Sequence, residues 1–323
     1  MLSTEELTYA EFSSANLCVV GNLNRDVKLA PVKAGTYLLE DGETPVEWTT
    51  ESVGGGGANS ACAAAALGAR VGFLGKVGAD PLGQRLQEVL VRHGVAAYLN
   101  RSAECMTGTS VNLAFTDGHR HFLSSLPNNE ALSISDLDLS VLDLYEHMHR
   151  ADIWFSVSML QGGNELLFRE ARKRGLRTSL DINWDPQWGS TSNLDVIRQR
   201  KMAIRRLLPW VNLVHGNTRE LIEFTGAADL EGSLRHLKDW GAEAVVIHLG
   251  VDGAGYWEGG PLVVVPSVPV SRQVNTTGTG DVLSVCMMLL DRNNDIPVNK
   301  KLLLSNQVVA EFIEGKRKLI PSL

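Results

Sequence analysis

The sequence predicts a doubly wound α/β fold: a mostly parallel sheet with helices on both faces. Three observations predict it. Short β-branched or apolar runs alternate with longer helical patterns along most of the 323 residues. The composition, 44% hydrophobic and 21% charged, is that of an ordinary globular chain able to build a large core. No Pro- or Ser-rich linker interrupts it, so residues 1–323 are expected to form one large unit.

The strand-like runs are 16–21 (NLCVVG), 70–78 (RVGFLGKVG), 151–157 (ADIWFSV), 177–183 (RTSLDIN), 210–216 (WVNLVHG) and 244–250 (AVVIHLG). Most are short and rich in Val, Ile and Leu, as strands buried on both faces are. Helix-like stretches separate them at 57–68, 81–93, 164–174, 194–208, 217–225 and 229–240. Two segments, 26–52 and 107–125, break the alternation, and Asp117-Gly118 marks a hairpin turn within the second. They are expected to form a small separate sheet. Loops at the carboxyl ends of parallel strands build the ligand crevice, so a flap rising from them would serve as a lid.

The net charge of −7, with no extended basic block, disfavours nucleic acid and anionic membranes as partners. The start, MLSTEELTYAEFSS, lacks the basic end and apolar stretch of a secretory signal, and a cytoplasmic location is expected. Cys18, Cys62, Cys105 and Cys286 contain no C-x-x-C pair and read as reduced packing residues.

Three stretches carry candidate chemistry. VGGGGANSACAAAALGA (53–69) places four glycines before an Ala-rich helix. It follows an irregular segment and is no dinucleotide fingerprint; it reads either as tight helix packing or as close backbone approach to a ligand, with Asn59 able to bind a hydroxyl. No G-x-x-x-x-G-K-[ST] loop occurs, so phosphate binding needs another device. TTGTGD (276–281) supplies one, because Gly278 and Gly280 let backbone amides converge at the start of an apolar helix. There Asp281 is either an ordinary helix-starting acid, worth about 0.3–1 kcal/mol, or a general base beside a phosphoryl group. HGNTRELIEFTG (215–226) spaces Asn217 and Glu220 as a capping box does, or as holders of a hydrated Mg²⁺.

Taken in order, nine motifs resemble the ribokinase-like (PfkB) carbohydrate kinase family. They are GNLNRD (21–26), GGGGANSACAAAALGA (54–69), GKVGADPLG (75–83), TGTSVNLAF (107–115), DINWD (181–185), NTRE (217–220), HLGVDGAG (248–255), NTTGTGD (275–281) and SNQ (305–307). The resemblance implies a ribokinase-like, Rossmann-type doubly wound domain with a small β-sheet lid, transferring the γ-phosphate of ATP, with Mg²⁺, to an alcohol. It implies that Asp281 is the base and that Gly278, Thr279 and Gly280 form the anion hole. Asn24, Asp26, Gly55 and Asn59 match acceptor ligands. Asn183, Asn217 and Glu220 match positions around the nucleotide phosphates and Mg²⁺, Glu220 reaching the ion through water, while His248, Gly250, Gly253 and Asn306 match the nucleotide wall.

Departures from the family pattern carry their own expectations. Asn275 stands where the family usually has Asp, beside a site that in many members binds a monovalent cation such as K⁺. His248 replaces a common Thr, and Val282 a smaller residue. Asp185 replaces an Arg, and phosphosugar relatives carry lid arginines where this chain has Gly108 and His119-Arg120-His121. An unphosphorylated sugar is therefore the expected acceptor, with the two histidines a solvated hairpin tip. The resemblance also implies homodimers paired through their lids. The alternatives are a nucleoside kinase of the same family, with Trp48 or Phe115 against the base, and a catalytically weak member acting as a sensor or interaction protein.

Overall fold

In the computed structural model, which describes residues 12–189, 193–274 and 277–323, the alternating pattern forms a nine-stranded sheet. Its strands are β1 (Asn16–Val20), β4 (Arg70–Gly78), β5 (Val95–Ser102), β8 (His147–Arg150), β9 (Arg177–Asp181), β10 (Leu213–Asn217), β11 (Ala244–His248), β12 (Ala254–Trp257) and β13 (Val263–Val265). They lie in the order β13-β12-β11-β10-β9-β8-β1-β4-β5. Pairing is parallel from β5 through β11, and β12 and β13 close one edge antiparallel. The chain runs outward from β1 on one side and resumes at β8 on the other. The resulting switch point lies past Val20 and Arg150, where open α/β sheets hold their ligands.

Among the described residues, eight helices of two turns or more flank the sheet: α1 (Gly56–Ala66), α2 (Pro81–Arg92), α3 (Asn164–Lys173), α4 (Leu194–Arg205), α5 (Thr218–Thr225), α6 (Leu230–Asp239), α7 (Thr279–Asp291) and α8 (Val298–Ile313). One apolar cluster joins Ala58, Ala61 and Cys62 of α1 to Val282, Val285 and Cys286 of α7. A second, on the other face, joins Leu167 and Phe168 of α3 to Trp154, Phe224 and Leu237. Helices on both faces complete the doubly wound arrangement that the alternating runs predict.

The segments that break the alternation pair into a four-stranded sheet of β2 (Asn24–Leu29), β3 (Thr49–Gly54), β6 (Thr109–Ala114) and β7 (Arg120–Ser125), ordered β3-β2-β6-β7. Asp117 and Gly118, the latter at φ 90°, turn the chain between β6 and β7. His119 and His121 are exposed, and His119 Nδ1 lies 3.2 Å from Asp117. At the far edge Val53 N donates to Pro321 O at 3.2 Å and Leu323 N to Glu51 O at 3.0 Å, so the carboxyl-terminal residues extend this sheet.

One strand differs from the sequence expectation. The run 151–157 is irregular, and its predecessor His147–Arg150 supplies β8. Polar side chains hid this strand, because burial there depends on internal partners. Nε2 of His147 and Nδ1 of His149 each lie 2.8 Å from Ser179 Oγ, and Arg150 Nε donates to Asn164 Oδ1 at 2.9 Å. Ile153 and Trp154 are buried below the sheet without belonging to it.

The first turn of α1 rests directly on the end of β1. A Cβ built on Gly57 would stand 2.6 Å from Gly21 Cα, backbone that cannot swing aside. Gly57→Ala is therefore expected to lower stability by about 1–3 kcal/mol, the usual cost of overpacking. Urea denaturation checks this; an unchanged midpoint would mean that α1 has room to retreat.

Candidate active site

The turn into α7 is built by glycine. Gly278 adopts φ 84° at the N-cap with no side-chain cap, leaving the first amides of α7 open. Asp281 sits in the first turn. Asn59 of α1 reaches across and donates through Nδ2 to Asp281 Oδ2 at 3.0 Å. Burial pushes the Asp281 carboxyl up to about 7, the Asn59 bond opposes this, and the charges of Asp152, Glu220 and Asp26 add to it. An acid there could receive a proton near neutral pH.

On the small sheet, Asn24 Nδ2 donates to Asp26 Oδ1 at 2.8 Å, and both side chains are buried. Gly54, opposite Asn24, leaves their space free; a Cβ there would collide with the Asp26 carboxyl. Gly55, at φ 93°, turns the chain into α1, where its carbonyl accepts the Asn59 amide at 2.9 Å. Burial raises Asp26 to about 6 against the opposing effects of Lys28 and Asn24. The buried Asn59 Oδ1, Asn112 Oδ1 and Ser52 Oγ have no hydrogen-bond partner among the described residues. Orphaned polar atoms of this kind are what hydroxyl groups of a bound molecule would satisfy.

Sequence reasoning missed Asp152. It follows β8 at the switch point and accepts from Gly56 N at 3.1 Å, Gly57 N at 2.8 Å and Asn22 N at 3.0 Å. Its own amide donates to Asn183 Oδ1 at 2.9 Å, and both residues hold left-handed backbone, at φ 54° and φ 45°. An acid one residue beyond a strand end was the available signal. It was obscured because that strand was placed over 151–157. Asp181, the first residue of DINWD, is buried, and its carboxyl is driven well above the usual range, first by desolvation and then by Glu220 and Asp281.

Asn217 and Glu220 form a complete capping box at the start of α5. Asn217 Oδ1 accepts the Glu220 amide at 2.9 Å, and Glu220 Oε2 accepts the Asn217 amide at 2.8 Å. Burial raises the Glu220 carboxyl even so. Three acids, Asp181, Glu220 and Asp281, thus face one another electrostatically, an environment that a cation would relieve. Among the described residues no three His, Cys, Asp or Glu side chains are grouped closely enough to ligate a metal directly.

His248 ends β11 with its ring against α7, Nε2 lying 3.0 Å from Ser284 Oγ; burial lowers it to about 4, so the imidazole is neutral at pH 7. A Cβ on Gly280 would come within 3.1 Å of His248 Nδ1. Val282, beside it, is fully buried in the core. Gly250 and Gly253 carry φ 62° and φ 104° in the turn after β11. Asn306 of α8 donates to the carbonyls of Val265 and Pro266 at 3.0 and 2.9 Å, bracing the loop against which Gly253 packs. Asn275 and the monovalent-cation position expected beside it lie outside the described residues. A cavity of about 550 Å³ lined by Asn16, Glu146 and Arg292 contains none of these site residues.

The doubly wound fold with a second small sheet and an acid over a glycine-built helix start defines an α/β phosphotransferase-like architecture. A model of the pfkB family carbohydrate kinases matches residues 14–288, and the chain belongs to that family. It is 27% identical over 272 residues to an aminoimidazole riboside kinase of Salmonella typhimurium, covering 81% of this chain and 76% of that protein. It is 25% identical to a ribokinase of Haemophilus influenzae, covering 82% and 81%. Among solved structures, a putative ribokinase II from E. coli in complex with ATP and Mg²⁺ superposes with a TM-score of 0.78 at 19% identity, covering 93% of each chain. Arabidopsis thaliana ribokinase complexed with ribose and ATP gives 0.74 at 20% identity, covering 94% and 95%. No helix among the described residues is long and apolar enough to cross a membrane.

Proposed function

We propose that this chain transfers the γ-phosphoryl group of ATP to a hydroxyl of a small, unphosphorylated sugar, with Asp281 as general base. The observation that carries the reading is the Asp281 carboxylate, oriented by Asn59 and raised to about 7, in the first turn of α7 beside the glycine-built amides. ATP supplies the phosphoryl group, and Mg²⁺ neutralises charge on its oxygens. Asp281 takes the proton from the attacking hydroxyl. The amides of Thr279 and Gly280 donate to the oxygens of the transferring group. Asn24, Asp26 and the orphaned Asn59 Oδ1 orient the acceptor hydroxyls. Glu220, with Asn183 and Asn217 nearby, faces the hydrated ion. His248, Gly250, Gly253 and the loop braced by Asn306 border the nucleotide.

The small sheet acts in this reading as a lid that excludes water from the transfer. Its outer side, with Val27, Val111, Leu113 and the exposed Leu123, is the surface through which two copies would pair. A second reading, a nucleoside acceptor, draws support from Phe122, which shares the inner side with Asn112 by register and is 46% exposed.

ATP consumption against sugars, sugar acids, phosphosugars and nucleosides, with Asp281→Asn as the control, tests the proposal. Turnover well above the control is expected for at least one sugar. Ligand binding without turnover above that control for any acceptor would favour a sensor.

A further inference from the structure

Asn59 and Asp281 stand far apart in the chain and meet through one hydrogen bond of 3.0 Å. The carboxyl-terminal residues touch both of the segments that bring them together. Their root is tied to the residues leading into the turn before α7. Val274 N donates to Ile313 O at 2.7 Å, and Ser271 donates to Glu314 Oε1 through its amide at 2.7 Å and its hydroxyl at 2.6 Å. Gly315, at φ 71°, then turns the chain out of α8. Leu319 follows, 2% exposed in the apolar cluster shared by α1 and α7. Beyond Ile320 the tail becomes the outer neighbour of β3, the edge strand of the small sheet, with Ser322 opposite Ser52 and backbone bonds joining Pro321 to Val53 and Leu323 to Glu51. β3 itself runs through Gly54 and Gly55 into α1, which carries Asn59.

Ile320 lies at the centre of this path. A Cβ built on Gly278 would stand 2.6 Å from Ile320 Cδ1 and 3.7 Å from both Asn59 Nδ2 and Asp281 Oδ2. One methyl group and one hydrogen bond therefore flank the same glycine. Gly278, at φ 84°, has no side chain with which to cover its own turn, and the tail supplies the cover. Apolar cover strengthens a hydrogen bond to a carboxylate and disfavours the charged form of the acid. Burial is indeed the largest cause of the raised Asp281 carboxyl. The lid touches the same turn, where Arg120 Nη1 donates to Thr277 Oγ1 at 3.2 Å. Lid and tail thus hold the turn together, and the tail is in turn paired with the edge of the lid sheet.

From this path we infer that Ile320 is a positioning residue for the base: it plugs the Gly278 turn over the Asn59–Asp281 bond, and the pairing of the tail with β3 ties the plug to the root of the lid. This role rests on the reading of Asp281 as the base and adds a third segment that keeps the base and its partner aligned. Misplacing a reacting group by about 1 Å costs on the order of 10²-fold in rate, so the plug acts on kcat more than on acceptor affinity.

Ile320→Ala, Ile320→Val and Leu323→Pro in the full chain test this, the proline removing the amide that donates to Glu51 O. With the best acceptor, Ile320→Ala should lower kcat about tenfold or more and change acceptor KM less than about threefold. The acid limb of its kcat/KM profile should move to lower pH as water reaches Asp281. Ile320→Val keeps most of the cover and should restore native-like kcat. Leu323→Pro, which loosens the plug through one bond, should lower kcat about threefold. Denaturation at pH 4 and pH 8 gives a readout that needs no turnover. A plain cavity costs the same stability at both. Folded Asp281 holds a proton between pH 3.8 and about 7 that the unfolded chain has released, and uncovering the acid restores part of the stability lost across that window. The stability lost in Ile320→Ala should therefore be smaller at pH 8 than at pH 4. An equal loss at both, or kcat and acid limb unmoved in the folded variant, overturns the inference and leaves the kinase reading standing. Should Ile320→Ala fail to fold, Leu323→Pro decides by the same two signs. Should the native chain phosphorylate no acceptor, the kinase reading fails on its own and the stability comparison alone decides the plug.

Discussion

Asp281→Asn is expected to lower kcat by about 10²–10⁴-fold, the range for losing a general base, and at the same time to stabilise the fold. Both effects come from one cause. Burial raises this carboxyl from 3.8 to about 7, with Asp152, Glu220 and Asp26 contributing. Between those two values the folded protein retains a proton that the unfolded chain has released, so stability falls as pH rises through that window. The asparagine variant has no such loss. Its advantage should be absent near pH 4, grow towards pH 7 and stay level above it, reaching on the order of 2–4 kcal/mol. Denaturation midpoints of both proteins from pH 4 to 8.5 check the stability arm. The activity arm has its own signature: log kcat/KM of the native chain should climb with unit slope to about pH 7 and then level off. A variant less stable than native at pH 8 would show that Asp281 serves the fold, as an ordinary first-turn acid does.

The second large effect is expected at Glu220, where the helix cap coincides with the proposed ion-holding role. Glutamine can still accept the Asn217 amide, so Glu220→Gln preserves the start of α5 and removes only charge. The Mg²⁺ concentration for half-maximal activity should rise about 10–100-fold, the cost of losing a group that orients a metal's surroundings. Glu220 also helps raise Asp181 and Asp281. The acid limb of the activity profile should therefore move to lower pH in the variant. An unchanged Mg²⁺ titration together with an unchanged profile would reduce Glu220 to a helix cap. Stability measured alongside, expected to be near native, separates the two roles.

Much of the fold was legible because it depends on local pattern. β1, β4, β9, β10 and β11 lie within or close to their apolar runs, and the helices between them follow their own periodicity. β8 was not legible, since His147, His149 and Arg150 look like surface residues until Ser179 and Asn164 are brought beside them. The site divides in the same way. Gly278, Gly280 and Asp281 announce a helix start with an acid in it, and Asn217 and Glu220 announce a cap. Gly54 and Gly57 read from the sequence as tight helix packing or close approach to a ligand without saying against what; the structure shows that one clears the Asp26 carboxyl and the other allows α1 onto Gly21.

The sequence by itself determined the doubly wound class, the helix start that presents amides and Asp281, and the set of polar side chains available to a ligand. These follow from short-range preferences and residue chemistry, which need no knowledge of distant partners. Only the tertiary structure decided that Asn59, 222 positions away, orients Asp281, that Asp152 anchors the start of α1, and that Arg120 reaches Thr277 rather than standing as a solvated tip. The physical reason is that hydrogen bonding, desolvation and charge repulsion depend on separation in space, which chain closure sets and local sequence does not.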